Sequence, residues 1–167
     1  SLRCSGTRVT RSSRRHAVVT TDHTDLVVLA DALITDPRVL RDLHTARVPH
    51  LPVRVRDGTG LVGPLVIPGL TSCLACADLH RSERDAAWPV LAAQLRHAVT
   101  TADRATVLGT AALALTQVEQ VLRALREGAG PEGPPPEPMT LDTTVEFDVG
   151  TGSVVTRRWS RHPACGC

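Results

Sequence analysis

Four of the five cysteines stand in two tight pairs that are far apart in the chain. Cys73 and Cys76 form a CxxC after a Pro-Gly turn, and Cys165 and Cys167 form a CxC at the end of the sequence. Each pair can grip one metal ion through a tight turn, and four thiolates are the closed tetrahedral set typical of structural zinc. Such a site contributes on the order of 10 kcal/mol to folding. It would also force residues 139–167 back onto the region of the CxxC, so it constrains the fold more than any other feature.

Three other interpretations of these cysteines remain open. A redox pair is one, although a thioredoxin-like CxxC opens a helix after the first strand of its unit and none is predicted here. Disulfides are a second, although no signal peptide indicates an oxidising compartment. Unrelated buried thiols are the third. His80 and His162 lie close to the two pairs and could replace a thiolate, but with four cysteines available we expect them to be supporting or surface groups. Cys4 is left over as a free thiol.

The first half of the chain predicts strands alternating with one helix. Residues 16–20 and the run DLVVLAD at 25–31 read as strands, the second buried on both faces. Asp36-Pro37 begins a helix that ends at Val48-Pro49, and residues 52–56 form the next strand. This is a βαβ unit with a right-handed crossover. A turn at 57–60 leads to a strand over 61–67 that Gly63-Pro64 interrupts.

The second half predicts two helices and a hairpin. The helices cover residues 87–98 and 103–127, and the second carries the strongest helical periodicity in the chain. We expect it to be a core helix, although a homodimer interface would show the same pattern. Its apolar positions are Val107, Leu108, Ala111, Leu115, Val118, Leu122 and Leu125. Strands at 141–149 and 153–159 flank a Gly-Thr-Gly turn and form a β-hairpin.

These elements suggest an α/β fold in four parts. Residues 1–15 form a basic flexible arm, which could alternatively contact nucleic acid. Residues 16–127 form the α/β core with its two helices, and residues 128–138 form a Pro/Gly linker. Residues 139–167 form the hairpin and the metal-binding tail, packed on the core.

Composition excludes several classes of function. All 19 basic residues are Arg, so Schiff-base chemistry and a phosphate-loop lysine are excluded. Aromatic residues make up 2% and the net charge is +2, which makes nucleic-acid binding improbable. No apolar run of transmembrane length and no secretory signal is found, so we expect a cytoplasmic protein without a membrane partner. The sequence contains neither an HExxH, nor a nucleophile elbow, nor a GxGxxG.

Residues 25–80 resemble the second half of a ThiF/MoeB-type adenylating domain, the ubiquitin-activating-like fold. The matching pieces are DLVVLADAL, PRVLRDL, VPHLPV, GLVGPLVIPGLTSCLAC and the terminal CGC. The words GPLVIPGLTSCLACADLHRSERDAAWPVLAAQL and RRWSRHPACGC are most similar to one branch of that fold, the actinobacterial thiazole/oxazole-modified peptide cyclodehydratases or leader-peptide-binding proteins. The resemblance therefore implies a partial Rossmann-like sheet tied by a four-Cys zinc site, in the C-terminal portion of a longer protein or in a naturally short relative.

The resemblance also implies a role beside other components. In that branch the ThiF-like protein presents a precursor peptide, through a winged-helix domain not found in this sequence, to a YcaO-type partner that uses ATP. Asp31 matches the acid that would hold magnesium–ATP, although it could equally cap its strand. The glycine-rich nucleotide loop is missing, and Arg38 precedes Asp42 where the adenylating pattern has Asn. These departures predict a non-catalytic scaffold that does not bind ATP tightly.

Two alternatives of other classes stay open. The chain could belong to a true adenylating enzyme, with Asp31 near magnesium and the nucleotide loop supplied elsewhere, which would catalyse ATP–pyrophosphate exchange. It could also be a zinc-ribbon-like binding module whose basic arm contacts nucleic acid, in which case the affinity would fall steeply with salt.

Overall fold

The DLVVLAD run and the two segments after it form a parallel βαβ unit in the computed structural model, which describes residues 7–12, 24–30, 32–96, 98, 100–127 and 136–167. Strand β1 (Val27–Leu29) pairs in parallel with β2 (His50–Arg56), and helix α1 (Pro37–Thr45) connects them. Asp36 caps α1 by accepting a hydrogen bond from the Arg38 backbone at 2.8 Å, as its position before proline predicts. The predicted βαβ unit is confirmed, with slightly different strand bounds.

The rest of the sheet is antiparallel. Strands β3 (Thr59–Val62), β4 (Thr143–Asp148) and β5 (Ser153–Arg158) follow β2 in spatial order. The turn at Asp57-Gly58 explains why β3 reverses direction. Both residues have positive φ, which matches the right-handed twist of a two-residue hairpin. The sheet is therefore mixed, and the parallel Rossmann-like arrangement expected from the sequence is limited to β1 and β2. The predicted C-terminal hairpin is β4–β5.

The strand expected over residues 61–67 is shorter than predicted. Strand β3 ends before Gly63, which has a φ of 95°, and beyond it only isolated bridges are formed. One joins Val66 to His50 and the other joins Leu65 to Leu141. The Gly-Pro pair ends the strand because proline cannot donate to the ladder and Gly63 bends the backbone.

Three helices lie where the sequence predicted two. Helix α2 (Leu74–Arg84) begins directly after Cys73 and was not expected, because its sequence LACADLHRSER has few apolar positions. Helix α3 (Trp88–Leu95) is shorter than predicted, and α4 (Arg104–Glu127) matches its predicted bounds closely.

Helix α4 packs across one face of the sheet and closes the larger core. The buried members of this core come from β2, β3, the segment after β3 and α4: Leu51, Val62, Leu65, Ala114, Val118, Val121 and Leu122. The expected core helix is buried only in part, since Val107, Leu108 and Leu125 of its apolar positions are exposed. Thr106 and Thr110 are buried instead. The N-terminal half of α4 therefore meets the sheet through small polar side chains.

The expectation that no apolar run reaches transmembrane length is corrected, since residues Arg104–Arg126 are long and apolar enough to cross a membrane, judged by length and composition only. A core helix of a soluble protein meets the same test, and α4 has one face against the sheet. The predicted strand at 16–20, Asp31, Cys4 and linker residues 128–135 lie outside the described residues, as does most of the arm at 1–15. The four-part domain division remains a prediction.

Candidate metal centre

The CxxC is built into the start of helix α2. Cys73 is the N-cap, and its Sγ accepts a hydrogen bond from the Cys76 backbone at 3.4 Å. Cys76 then lies in the first turn, where the unpaired N–H groups and the helix dipole favour negative charge. Both cysteines are buried, which disfavours the charged thiolate, and the helix start opposes that effect.

The C-terminal tail is brought to this helix by the end of the sheet. Trp159, directly after β5, is buried and donates from its indole N–H to the Thr144 hydroxyl at 3.0 Å. Asp142 joins the two regions, because its carboxylate accepts from the Ser72 backbone at 2.6 Å and its carbonyl accepts from the Trp159 backbone at 2.8 Å. A turn closed by the Cys165 N–H and the His162 carbonyl then directs the CxC toward α2.

The four sulfur atoms form one cluster, with all Sγ atoms within 4.8 Å of one another. Cys73 Sγ lies 3.7 Å from Cys76 Sγ and 3.6 Å from Cys165 Sγ, and Cys76 Sγ lies 3.5 Å from Cys167 Sγ. A tetrahedron with metal–sulfur bonds of about 2.3 Å has edges of about 3.8 Å, which is close to these distances. They are far longer than a disulfide bond of about 2.0 Å, and all four thiols are free. The donor set therefore fits a four-coordinate thiolate metal site.

The surroundings of the cluster shift the pKa values of its thiols in different directions. Burial tends to raise the pKa of Cys76, but hydrogen bonds with the backbone of His162 and Cys73 and with the CxC thiols lower it to about 7. Burial raises the pKa of Cys73 and, less strongly, that of Cys165. Without a metal ion the cluster thus holds at most part of the negative charge that it can carry. A divalent metal ion would balance the negative charge of further thiolates, because metal binding releases the protons that remain on the sulfur atoms.

An apolar layer encloses the thiols. Val66 and Leu74 are buried against Cys73 and Cys76, and Leu29 and Leu40 pack around them. The cluster therefore lies beside the carboxyl end of β1 and the first turns of α1, shielded on that side from water. Exclusion of water is typical of structural sites, in which the protein alone fills the coordination sphere.

A second polar cluster joins α2 to the tail next to the thiols. Glu83 accepts a hydrogen bond from His162 Nε2 at 2.8 Å, and His80 Nδ1 lies 3.8 Å from the other carboxylate oxygen. His162 Nδ1 accepts from the Ala164 backbone at 3.1 Å, while His80 Nε2 lies 3.1 Å from the Ser160 carbonyl. These three side chains could themselves hold a metal ion by distance. Both His162 nitrogens already have hydrogen-bond partners, however, so the arrangement is best understood as a latch between helix and tail.

The structure brings together all four cysteines singled out in the sequence. His80 and His162 lie beside them but outside the sulfur cluster, as expected for supporting groups. Glu83 was missed, and its spacing of three residues from His80 on a helix was the signal that could have revealed it. One argument against a redox role was that the CxxC does not open a helix, and this is corrected. The CxxC does open a helix, although this helix does not follow the first strand of a thioredoxin-like unit. Asp31 lies outside the described residues, so its role stays untested.

Comparison with known proteins identifies the fold through structure alone. No protein-family model matches the chain, and no curated protein matches it in sequence. Among solved structures, a heterocyclase in complex with substrate and cofactor is similar over 86% of this chain, with a TM-score of 0.67 and 18% identity. E. coli MccB with AMPCPP and MccA is similar over 85%, with a TM-score of 0.62 and 17% identity. The Microcin C7 biosynthetic enzyme MccB in complex with N-formylated MccA is similar over 85% of this chain, with a TM-score of 0.56 and 18% identity.

The similarity covers only part of the length of each relative. The chain spans 21% of the heterocyclase and 39–40% of the two MccB chains. At such identities the comparison establishes fold and not activity. The resemblance noted in the sequence is thereby confirmed at the level of fold: the chain shares with MccB, a ThiF/MoeB-like protein, and with a heterocyclase one α/β architecture.

Proposed function

We propose that this chain is a non-catalytic, zinc-stabilised scaffold of a peptide cyclodehydratase. In this role it docks a YcaO-type partner that uses ATP to form azoline rings on a ribosomal precursor peptide. The precursor itself would be bound by a winged-helix domain of the same complex. The observation that carries the proposal is the cluster of four thiols. Four thiolates would fill every ligand position of a tetrahedral metal ion, so that the ion would have a structural role.

The chemistry of the donor set supports zinc as the metal. Four thiolates at tetrahedral spacing in an apolar layer suit a borderline-soft ion without redox chemistry, and they leave no open position for substrate. We also propose a cytoplasmic location, because a reducing compartment would keep the four thiols available to the metal ion. The similarity of fold to a heterocyclase is compatible with azoline formation, which the sequence resemblance to thiazole/oxazole-modified peptide cyclodehydratases suggests.

The sequence supports a role without tight ATP binding. No lysine is present to contact phosphates, and no glycine-rich nucleotide loop is found. Catalysis would therefore belong to the partner, and this chain would supply a rigid docking surface. A homodimer is compatible with this role but is not required by it.

The proposal is tested by reconstitution. The purified chain is mixed with a YcaO-type subunit, a winged-helix leader-binding protein and a precursor peptide carrying its leader, and loss of one water per ring is followed by mass spectrometry. We expect ring formation to depend on this chain, and to disappear when Cys165 and Cys167 are both replaced by Ser. Zinc content is measured on the same samples, with one ion per chain expected. Ring formation at an unchanged rate without the chain contradicts the scaffold role.

A second candidate is an adenylating enzyme of the ThiF/MoeB type. It is favoured by the similarity to MccB, whose solved structures include complexes with ATP and with AMPCPP. ATP–pyrophosphate exchange separates the two candidates, because an adenylating enzyme returns labelled pyrophosphate to ATP and a scaffold does not. Exchange that the chain supports with a peptide, and that Asp31→Asn abolishes, would favour this candidate.

A further inference from the structure

Helix α4 carries an apolar surface outside its contact with the sheet. Leu108 is 62% exposed, Ala111 and Ala112 are exposed, and Leu115 is half-buried. Only 33% of the most apolar 18-residue stretch of the helix is buried, whereas a helix that serves only a core buries its apolar stripe. The packing of α4 on the sheet does not explain this surface, because other residues, among them Ala114 and Val118, make that contact.

Two opposite charges flank this apolar surface at equal distances from its centre. Arg104 lies one turn before Leu108, Glu119 lies one turn after Leu115, and both are exposed. At 100° per residue the two charges and the apolar residues between them share a stripe of about 100° on the helix. We call this set the outer stripe, and its members are Arg104, Leu108, Ala111, Ala112, Leu115 and Glu119.

The charged neighbours on α4 leave both ends of the outer stripe available for pairing. Asp103, next to Arg104, uses its carboxylate for the backbone and the hydroxyl of Thr106, at 2.9 and 2.6 Å. Arg123 lies one turn after Glu119. Among the residues that the structure describes, neither Arg104 nor Glu119 takes part in an ion pair.

The outer stripe is complementary to itself when it is read in the reverse direction. A two-fold axis between residues 111 and 112 places Arg104 opposite Glu119 of a second copy, Leu108 opposite Leu115, and Ala111 opposite Ala112. We propose that two copies of this chain associate through their outer stripes, with α4 antiparallel to α4 of the second copy. The proposal does not rest on the scaffold role, with which a monomer is equally compatible.

This pairing meets the physical requirements of a symmetric interface. The same patch serves both copies, as two-fold symmetry demands. The alanines at the centre allow the helix axes to approach to about 8 Å, and the leucines on either side are then shielded from water. The charge next to Arg104, Asp103, falls opposite Gln120 of the second copy, so that no like charges are opposed within this span.

The size of the contact predicts a weak dimer. The span from residue 104 to residue 119 is about 22 Å long. A single pair of helices over this length buries less surface than the roughly 1,600 Å² of a standard protein–protein interface. We therefore expect a dissociation constant of about 1–100 μM.

Charge exchange between the two ends of the outer stripe tests the pairing. Sedimentation velocity of the zinc-loaded full chain is recorded from about 1 to 500 μM, a range that brackets the expected dissociation constant. Arg104→Glu and Glu119→Arg should each weaken association by about tenfold, because each opposes two pairs of like charges. The double variant restores both pairs with reversed sign, so its affinity should return to near that of the wild type. Arg104→Glu also places an acid in the first turn of α4, where it favours the helix, so that unfolding would not explain its effect.

A third variant and a control complete the test. Leu108→Gln removes an exposed apolar side chain from both halves of the interface and should weaken association by at least about tenfold. Arg41→Glu makes the same change of charge as Arg104→Glu at an exposed position of α1, whose Leu40 packs near the thiols, and it should have no effect.

Three outcomes overturn the proposal. The first is a wild-type chain that stays monomeric over the whole concentration range, which would leave the outer stripe to another component of the complex or to a lipid surface. The second is a dimer that Leu108→Gln leaves unchanged, because association would then use another surface. The third is a charge-exchanged double variant that associates no better than the single variants.

Discussion

The imidazole of His50 is fully buried at the start of β2. Its Nδ1 lies 3.1 Å from the Val48 carbonyl, its Nε2 has no hydrogen-bond partner, and the ring meets His44 edge-on at 5.6 Å. Burial lowers its pKa from the ordinary 6.5 to about 4, which the hydrogen bond to Val48 opposes only in part. The folded protein therefore keeps this histidine neutral where the unfolded chain protonates it.

This gives a pH-dependent stability with a definite sign. Between pH 6.5 and 4 the unfolded chain binds the extra proton, so the stability contributed by neutral His50 is complete above 6.5 and is lost toward pH 4. The total is about 3 kcal/mol. We expect His50→Leu to flatten the decline of the unfolding free energy between pH 7 and 5.5, measured by urea denaturation. His44→Gln, at a half-buried site, should flatten it less. An equal slope in wild type and His50→Leu would contradict this assignment.

Two elements approach each other most closely where α4 crosses β3. A Cβ on Gly60 would lie 1.9 Å from the Thr110 hydroxyl oxygen and 3.0 Å from its Cβ. Gly60→Ala therefore forces the helix away from the strand, and overpacking of this kind costs about 1–3 kcal/mol. We expect a lower urea midpoint for Gly60→Ala and a partial recovery in the double variant with Thr110→Ala.

The matched control for this contact is Gly150→Ala. Gly150 lies in the exposed hairpin turn, where a Cβ would meet only Asp148 Oδ1 at 3.3 Å. Its replacement should leave the midpoint almost unchanged. Equal effects of the two substitutions would mean that helix–strand spacing does not limit the packing of α4.

The latch between α2 and the tail acts on the metal centre from a distance. Glu83 holds the His162 ring, and the backbone of His162 contacts the Cys76 thiol. Supporting groups of this kind typically change metal affinity by 10–100-fold when they are removed. We expect Glu83→Gln, which keeps the shape and loses the charge, to weaken zinc binding by about tenfold in competition with a chromophoric chelator. Glu119→Gln on α4 serves as the control, and equal affinities in the two variants would exclude the latch.

For the molecule as a whole, the four thiols join the end of the chain to the βαβ unit. The hairpin β4–β5 already pairs with β3, so metal removal should release the tail after Trp159 and loosen the smaller apolar cluster without dissolving the sheet. A chelator should therefore lower the melting temperature and raise amide exchange in the tail. The loss of free energy is limited by the roughly 10 kcal/mol of a structural site. Cys167→Ser should reproduce this effect and Cys4→Ser should not. A melting temperature unaffected by chelation would contradict a structural role for the metal.

Much of this architecture could be predicted because it depends on local signals. The cap at Asp36, the period of α4 and the Gly-Thr-Gly turn of the hairpin each act over a few residues. Helix α2 was missed because it has little periodicity of its own and because its cap is a cysteine, which is not a common N-cap residue. Its buried residues are confined to the first turn, so its stability depends on tertiary contacts there. The face of α4 was predicted only in part, since hydrophobicity cannot reveal that the sheet accepts Thr106 and Thr110 and leaves Leu108 exposed.

The sequence by itself determined which residues can bind a metal, because thiolate chemistry belongs to the residue and each close cysteine pair can hold one ion. Only the tertiary structure decided what surrounds them. The separation of the sulfur atoms and the Glu83–His162 latch each depend on residues that are distant in the chain and become neighbours through sheet pairing and helix packing. Chemical identity is a property of single residues, whereas proximity and burial are properties of the folded chain, and for that reason the latch could not be foreseen from the sequence.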